Sequence, residues 1–323
     1  FFAFRPLPPT ASLQRLKMRA STNSCVRRVG AGTAHRHRRR LRGSSARATA
    51  DSSSEGTTFE YTQYEGNSFA FTLGSVSVSV DPWIVDDLVF EGLSGDVYTG
   101  KKRALSDACR AEALAQTSQC DVLVLTQALD DHAHRPTLRR LPRDLPVVAS
   151  PAAATVARKL GFVRVTALAP GERCTPVEGL EVVATEGALV GPPWAARENG
   201  FCFTAGGTTL YTEPHCDARG LDGVSADVVV TPVRDVNLST PFGGAFKFPL
   251  VFGASRAAQL CATLGARAVL PLLNADIVQE GSLAGAVVTE GSLETFAAQL
   301  DRLSPQTALI TPAPAGETLE VSL

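Results

Sequence analysis

A chain of 323 residues with 44% hydrophobic residues has the size and composition of a globular protein with one large domain or two small ones. Its apolar runs, such as VLVL (122–125), stop far short of the roughly 18 residues of a membrane-spanning helix, which argues against a transmembrane segment. Its seven cysteines show no C-x-x-C spacing, which argues against a disulfide framework and against a zinc ribbon.

The charge is distributed unevenly along the chain. Residues 1–50 contain no Asp or Glu but hold 12 of the 31 Lys and Arg residues, which leaves 19 basic against 32 acidic groups in residues 51–323. An Arg-rich, acid-free segment is typical of an organelle transit peptide. We therefore expect residues 1–50 to be a disordered leader, cleaved near residues 46–50, and residues 51–323 to be one domain. The alternative, a basic arm that binds nucleic acid, conflicts with a body of net charge −13 that repels phosphates.

The predicted elements begin with three short strands in residues 57–83, separated by turn signals at EGN (65–67) and GS (74–75). A helix is predicted over 102–116, where Ala and Leu recur at helical spacings. The unbroken apolar run of the next strand, 121–125, indicates burial on both faces. The first half then continues with a short helix (136–141), a strand (146–150), a helix (151–161) and a strand (163–168).

The second half repeats this plan. Its predicted elements are strands near 179–184, 200–205, 208–212 and 226–233, a helix at 255–265, a strand at 268–273, a helix at 293–303 and two terminal strands. Hairpins followed by βα units, twice over, predict an α/β fold: an αββα sandwich of two mixed β-sheets with helices on both outer faces.

Two loops of the second half are further candidates for ligand contact. GPPWAARENG (191–200) is predicted to be either a lid over a cleft or a packed surface loop. FGGAFKFPLVFG (242–253) combines phenylalanines with Lys247, which suits an apolar or anionic ligand or a plug in a disused cavity.

Two groups of polar residues directly follow predicted strands. The first group, after strand 121–125, is Asp130, Asp131, His132 and His134. The second group, after strand 208–212, is Glu213, His215 and Cys216. Because ligands of open α/β sheets bind beyond the carboxyl ends of the strands, both groups are predicted to face one cleft.

In its order of motifs the sequence resembles the metallo-β-lactamase fold superfamily over residues 57–321. VSVSVDPW (76–83) resembles the end of the family's opening hairpin, DVLVLTQALDDH (121–132) its metal-motif strand, and LYTEPHC (210–216) the later strand that carries a bridging Asp. The blocks LDDH (129–132), GPPW (191–194), ENG (198–200) and EPHC (213–216) are most similar to a plant and algal plastid branch. This resemblance implies a chloroplast protein of the stroma.

The family's metal motif, His-x-His-x-Asp-His, implies the ligand positions of this chain. Its four ligands fall on Gln127, Leu129, Asp131 and His132. The later ligands fall on positions that hold other residue types, near Glu186, near residues 213–214 and near Asn274. The resemblance thus implies a degenerate motif, in which only Asp131 and His132 remain.

Two ligands are too few, because a catalytic zinc takes three protein ligands and a water. The predicted metal ligands are therefore Asp131, His132, His134 and His215, around one divalent ion (Zn, Mn or Fe) or none. The predicted function is a plastid metal-dependent hydrolase of a small ester- or lactone-type substrate, with Asp130, Asp131 and Glu213 as catalytic residues.

Three other interpretations of these residues stay open. In the first, the protein is a catalytically inactive ligand-binding or assembly protein that reuses the fold. In the second, it performs metal-free acid–base chemistry with Asp131 and His132. In the third, the histidines are hydrogen-bonded loop residues, and Asp130 with Asp131 caps the helix that begins near Pro136.

Overall fold

The computed structural model describes residues 57–90, 92–189, 197–239, 247–272 and 274–323. The predicted transit peptide, the GPPW block and the phenylalanine and glycine residues at 242–246 lie outside these ranges. Within the ranges, no helix has both the length and the apolar character of a membrane span.

The strands are β1 (Thr58–Gln63), β2 (Phe69–Leu73), β3 (Val76–Val80), β4 (Thr99–Lys101), β5 (Val122–Leu125), β6 (Val147–Ala149), β7 (Val165–Ala167), β8 (Arg173–Val177), β9 (Leu180–Glu186), β10 (Asn199–Ala205), β11 (Thr208–Thr212), β12 (Val228–Pro232), β13 (Asp235–Ser239), β14 (Lys247–Val251), β15 (Ala268–Leu272), β16 (Val278–Glu280), β17 (Val287–Glu290), β18 (Ala308–Leu309) and β19 (Thr318–Ser322). The helices are α1 (Asp107–Gln119), α2 (Arg135–Leu138), α3 (Pro151–Lys159), α4 (Ala254–Leu264) and α5 (Leu293–Leu303), with a 3₁₀ turn at Ala284–Ala286.

Two seven-stranded mixed sheets form the centre of the fold. The first has the order β19-β1-β2-β3-β5-β6-β7, with a meander of β1 to β3 followed by parallel strands. The second has the order β18-β15-β12-β11-β10-β9-β8, with β8 to β11 antiparallel and the remaining strands parallel. The two terminal strands of the chain thus complete different sheets.

The main hydrophobic core lies between the two sheets. Alternate side chains of β2 and β10 face each other across it, and the rings of Phe71 and Phe203 lie 5.2 Å apart. Helix α3 covers the outer face of the first sheet with the small side chains of Ala153, Ala154 and Ala157, while α4 and α5 cover the second. The predicted αββα sandwich of two mixed sheets is confirmed.

Two small sheets were not predicted, and they matter for the site. One has the order β14-β13-β17, and the other pairs β4 with β16. The prediction of a loop over 242–253 was wrong for Lys247–Val251, which forms β14. The strands of both small sheets are short and mostly half-buried or exposed, so they lack the buried apolar alternation that identifies a strand in a sequence.

Helix α1 begins at Asp107, five residues after its predicted start. The backbone N–H groups of Arg103, Ala104 and Leu105 instead donate hydrogen bonds to the buried carboxylate of Glu65. An ionised carboxylate without these donors would be costly to bury, so this contact between distant residues overrides the local helical pattern.

Candidate functional site

The loops after β5 and β11 bring His132 and His215 together. These two strands belong to different sheets, and their carboxyl ends meet at one edge of the sandwich. The imidazole rings lie 5.5 Å apart, and both side chains are almost fully buried. The structure therefore assembles one site from the two predicted polar corners.

His132 lies between two carboxylates. Its Nδ1 is 2.7 Å from Oδ2 of Asp81, and its Nε2 is 3.4 Å from Oδ2 of Asp131 and 3.3 Å from Nδ2 of Asn67. Burial of the ring lowers the pKa of His132, but the negative charges of Asp131 and Asp81 outweigh burial and raise it to about 9. At neutral pH the ring is therefore a cation held in a buried ion-pair cluster.

Asp81 is the site residue that the sequence analysis missed. It follows β3 with a left-handed backbone (φ 45°), and its carboxylate also accepts the backbone N–H of Thr126 at 2.8 Å. A carboxylate directly after a buried strand is the signal that could have identified it, since the same reasoning selected the residues after β5.

His215 is held by residues of both corners. Its Nδ1 lies 2.7 Å from the side-chain nitrogen of Gln127, the residue on which the family's first histidine falls. The fully buried Glu213 accepts the backbone N–H groups of His215 and Asp217, at 3.2 and 2.7 Å. Both oxygens of Glu213 thus shape the loop that carries His215.

His134 and Asp130 take other roles. Burial lowers the pKa of His134 to about 4, so its neutral ring accepts from Thr137, caps α2 and points Nε2 at the carbonyl of Asp87. Asp130 forms an ion pair with Arg135. The structure does not bring either side chain together with His132 and His215.

Two further groups lie near this edge. Cys216, a candidate ligand from sequence, is buried with its Sγ 3.0 Å from the hydroxyl of Thr231, and burial raises the pKa of its thiol well above the ordinary value. Glu198 accepts the hydroxyl of Ser150 at 3.1 Å, and burial raises its pKa despite the nearby histidine rings. The thiol of Cys216 also donates to the carbonyl of Pro232 at 3.2 Å, so its contacts are with β12.

The donor set does not fit a catalytic metal. The 3.4 Å between His132 Nε2 and Asp131 Oδ2 matches two ligands of one tetrahedral ion, whose bonds of about 2.1 Å place ligands about 3.4 Å apart. In the part of the chain that the structure describes, however, no group of three His, Cys, Asp or Glu side chains is placed to hold a metal. The side-chain nitrogen of Gln127 contacts Nδ1 of His215. The predicted four-ligand set is therefore not assembled.

A cavity of about 300 Å³ opens beside these residues. Its walls are apolar and come from the loop after β3, from the segment 274–289 and from β13 and β14 of the small sheet. Among them are Trp83, Leu88, Phe90, Tyr98, Val236 and Ile277. Its polar lining includes Asn67, Asp131, His215 and Asn274. The cavity is thus a mostly apolar chamber, and the part of its lining formed by these four residues is called its polar end; Gln279 and Thr289 are further polar residues of the lining.

Several side-chain atoms at the polar end are buried with unused hydrogen-bonding capacity. Among the described residues that line the cavity, Oδ1 of Asp131 and both polar atoms of the Asn274 side chain have no hydrogen-bond partner. Such groups are rare in native proteins, and each one calls for an explanation such as a catalytic role or a bound water or ion. The resemblance described above implies that the family's closing histidine falls near Asn274.

Comparison with known proteins gives the context of this site. A family model described as a beta-lactamase superfamily domain matches residues 60–273. The fold is similar to that of a possible metal-dependent hydrolase from Veillonella parvula DSM 2008, with 15% identity and a TM-score of 0.57 over 82% of this chain and 99% of that chain. No curated protein matches the chain.

Two further solved structures are similar in fold. One is Igni18, a metallo hydrolase from the hyperthermophilic archaeon Ignicoccus hospitalis KIN4/I, with 14% identity and a TM-score of 0.55 over 83% of this chain and 100% of that chain. The other is an isothiocyanate hydrolase from Delia radicum gut bacteria, with 16% identity and a TM-score of 0.54 over 82% of this chain and 100% of that chain. At these identities the likeness concerns the fold alone.

Proposed function

The chain belongs to the β-lactamase superfamily, and from this premise we propose that it binds a small, mainly apolar molecule in the cavity beside His132 and His215, without a catalytic metal. The observation that carries the proposal is the apolar cavity with its polar end. Its volume of about 300 Å³ corresponds to about ten non-hydrogen atoms, if each takes roughly the 30 Å³ of a water molecule.

The residues of the cavity account for binding and orientation. Contact with the rings of Trp83, Phe90 and Tyr98 removes apolar ligand surface from water, at about 25 cal/mol for each Å² buried. Asp131 and Asn274 hydrogen-bond the polar part of the ligand and so set its direction. The buried ion pairs of His132 hold this end of the cavity rigid.

Metal-dependent hydrolysis of an ester or lactone is the second candidate function. The spacing of Asp131 and His132 favours it, and the printed descriptions of the structural neighbours name hydrolases. Two donors are nevertheless one fewer than a catalytic zinc requires. We infer that the family's metal motif is degenerate in this chain.

The proposed binding of a small apolar molecule is tested by measuring the affinity of the full chain for octan-1-ol with isothermal titration calorimetry. Ala275 lines the cavity, so Ala275→Phe is expected to fill part of it and to weaken binding at least tenfold. Ala152 is exposed on α3, and the matched substitution Ala152→Phe should leave binding unchanged. Equal affinities of the two variants would refute binding in this cavity.

Elemental analysis of protein produced with Zn, Mn and Fe supplied separates the two candidates. The binding proposal predicts much less than one equivalent of metal, unaffected by His132→Ala. About one equivalent that His132→Ala removes would favour the metal-dependent hydrolase.

We also propose that residues 1–50 direct the protein to the chloroplast stroma. The support is their acid-free, Arg-rich composition and the similarity of four sequence blocks to the plastid branch of the family. Residues 1–50 fused to a fluorescent protein should accumulate in chloroplasts of plant cells. Replacing the arginines of RHRRRLR (36–42) by glutamate should keep the fusion protein out of the chloroplasts. Unchanged import would contradict a role of these positive charges in targeting.

A further inference from the structure

The charge of the cavity lining restricts the ligand. Asp131 is the one carboxylate among the described residues that line the cavity, and none of them is Lys or Arg. A carboxylate or phosphate on the ligand would lie near this negative charge, and no lysine or arginine among the described lining residues could pair with it. Burying an unpaired charge is costly, so the lining disfavours an anionic ligand.

Cationic side chains beside the lining residues already have partners. Lys247 of β14, which in the sequence suggested an anionic ligand, forms an ion pair with Glu290. Lys102 lies over the ring of Trp83 and donates to backbone carbonyls that follow it. His132 is flanked by carboxylates on both sides of its ring.

The unused polar atoms indicate what the ligand supplies instead. Oδ1 of Asp131 is a hydrogen-bond acceptor, and the amide of Asn274 has an acceptor oxygen and a donor nitrogen without partners in the described structure. The two oxygens call for N–H or O–H donors on the ligand, and the nitrogen calls for an acceptor. A primary amide offers two N–H bonds and one carbonyl oxygen, whereas a carboxylate offers no donor.

We infer that the cavity selects an uncharged ligand whose polar end donates hydrogen bonds, such as a primary amide on a hydrocarbon chain of about eight carbons, and discriminates against the corresponding carboxylate. This inference rests on the proposed function, that the cavity binds a small apolar molecule. Asp131 is the specificity-determining residue, because its charge repels an anion while its free oxygen accepts from the amide.

Octanamide and octanoate test the inference, because they share chain length and differ in the head group. Their affinities for the full chain are measured by isothermal titration calorimetry at pH 7.5. We expect octanamide to bind at least tenfold more tightly than octanoate. Asp131→Asn should reduce this ratio to within threefold, while the exposed Asp121→Asn should preserve it. Circular dichroism confirms that both variants are folded.

Each outcome decides between the two proposals. Octanoate binding as tightly as octanamide would overturn the selection for an uncharged donor and leave the cavity proposal intact. A full preference for octanamide in Asp131→Asn would show that the charge of Asp131 is not its cause, which also overturns the inference. Failure of octan-1-ol, octanamide and octanoate alike to bind would overturn the proposed function itself.

Discussion

Replacing Asp81 by asparagine should destabilise the protein more than any other Asp-to-Asn change at the ends of β3 and β5. The side chain of Asp81 is 1% exposed, and its carboxylate accepts from His132 Nδ1 at 2.7 Å and from the backbone of Thr126 at 2.8 Å. Asparagine tolerates the left-handed backbone of this position, so the change removes the charge without new backbone strain.

The magnitude follows from the burial of the ion pair. Removing one partner of a fully buried pair costs about 3–5 kcal/mol, because the other charge is left uncompensated. Asp121→Asn is the matched control. Asp121 also accepts hydrogen bonds from a residue of β3, the backbone and hydroxyl groups of Ser77 at 2.8 and 2.7 Å, but in an exposed position. Its replacement should cost about 1 kcal/mol or less.

Urea denaturation, followed by the fluorescence of the buried Trp83, measures both free energies of unfolding. A difference of at least about 2 kcal/mol between the two variants is expected from the estimates above. If Asp81→Asn and Asp121→Asn are equally stable, the buried ion pair does not stabilise the native fold and the reasoning is wrong.

Three more predictions concern stability. The pKa of His132 is about 9 in the folded protein and 6.5 in the unfolded chain, so its protonation contributes about 3 kcal/mol to the free energy of unfolding below pH 6.5. This contribution should be lost as the pH rises through 9, and His132→Gln should abolish the loss. A free energy of unfolding that increases over this pH range would contradict the prediction. Thr137→Val should cost about 1–3 kcal/mol in urea denaturation, because two backbone N–H groups after β3 lose their buried acceptor, whereas Thr137→Ser should cost less. Gly200→Ala should lower the melting temperature, because its Cβ would lie 2.4 Å from the hydroxyl of Tyr211, while Gly285→Ala meets nothing within 4 Å and should have no effect.

The βα units could be predicted from the sequence because their strands are buried on both faces. Strand β5 is a continuous apolar run, and α5 occupies the range that its periodicity predicts. The small sheets around the cavity could not be predicted in this way. β14 and β17 carry half-exposed residues with no clear alternation, and they are strands only because β13 pairs with both.

The candidate site was predictable in position but not in composition. A loop after a buried strand identifies the edge where ligands of such sheets bind, and this rule selected His132 and His215, whose rings lie 5.5 Å apart in the structure. The same rule also selected His134, whose ring caps α2. Asp81 and Gln127 are 51 and 88 residues away from the histidines that they contact, so a local pattern can indicate that Asp81 lies at this edge but not which side chain it contacts.

The sequence by itself determined the class of fold and the two βα halves, and it predicted that His132 and His215 face one cleft. These features depend on residue type and on spacing within short segments. Only the tertiary structure decided that His132 lies between the carboxylates of Asp81 and Asp131, that the described residues form no group of three metal-binding side chains, and that an apolar cavity lies beside them. The physical reason is that each of these facts depends on contacts between side chains that are far apart in the sequence, and such contacts exist only once the chain has folded.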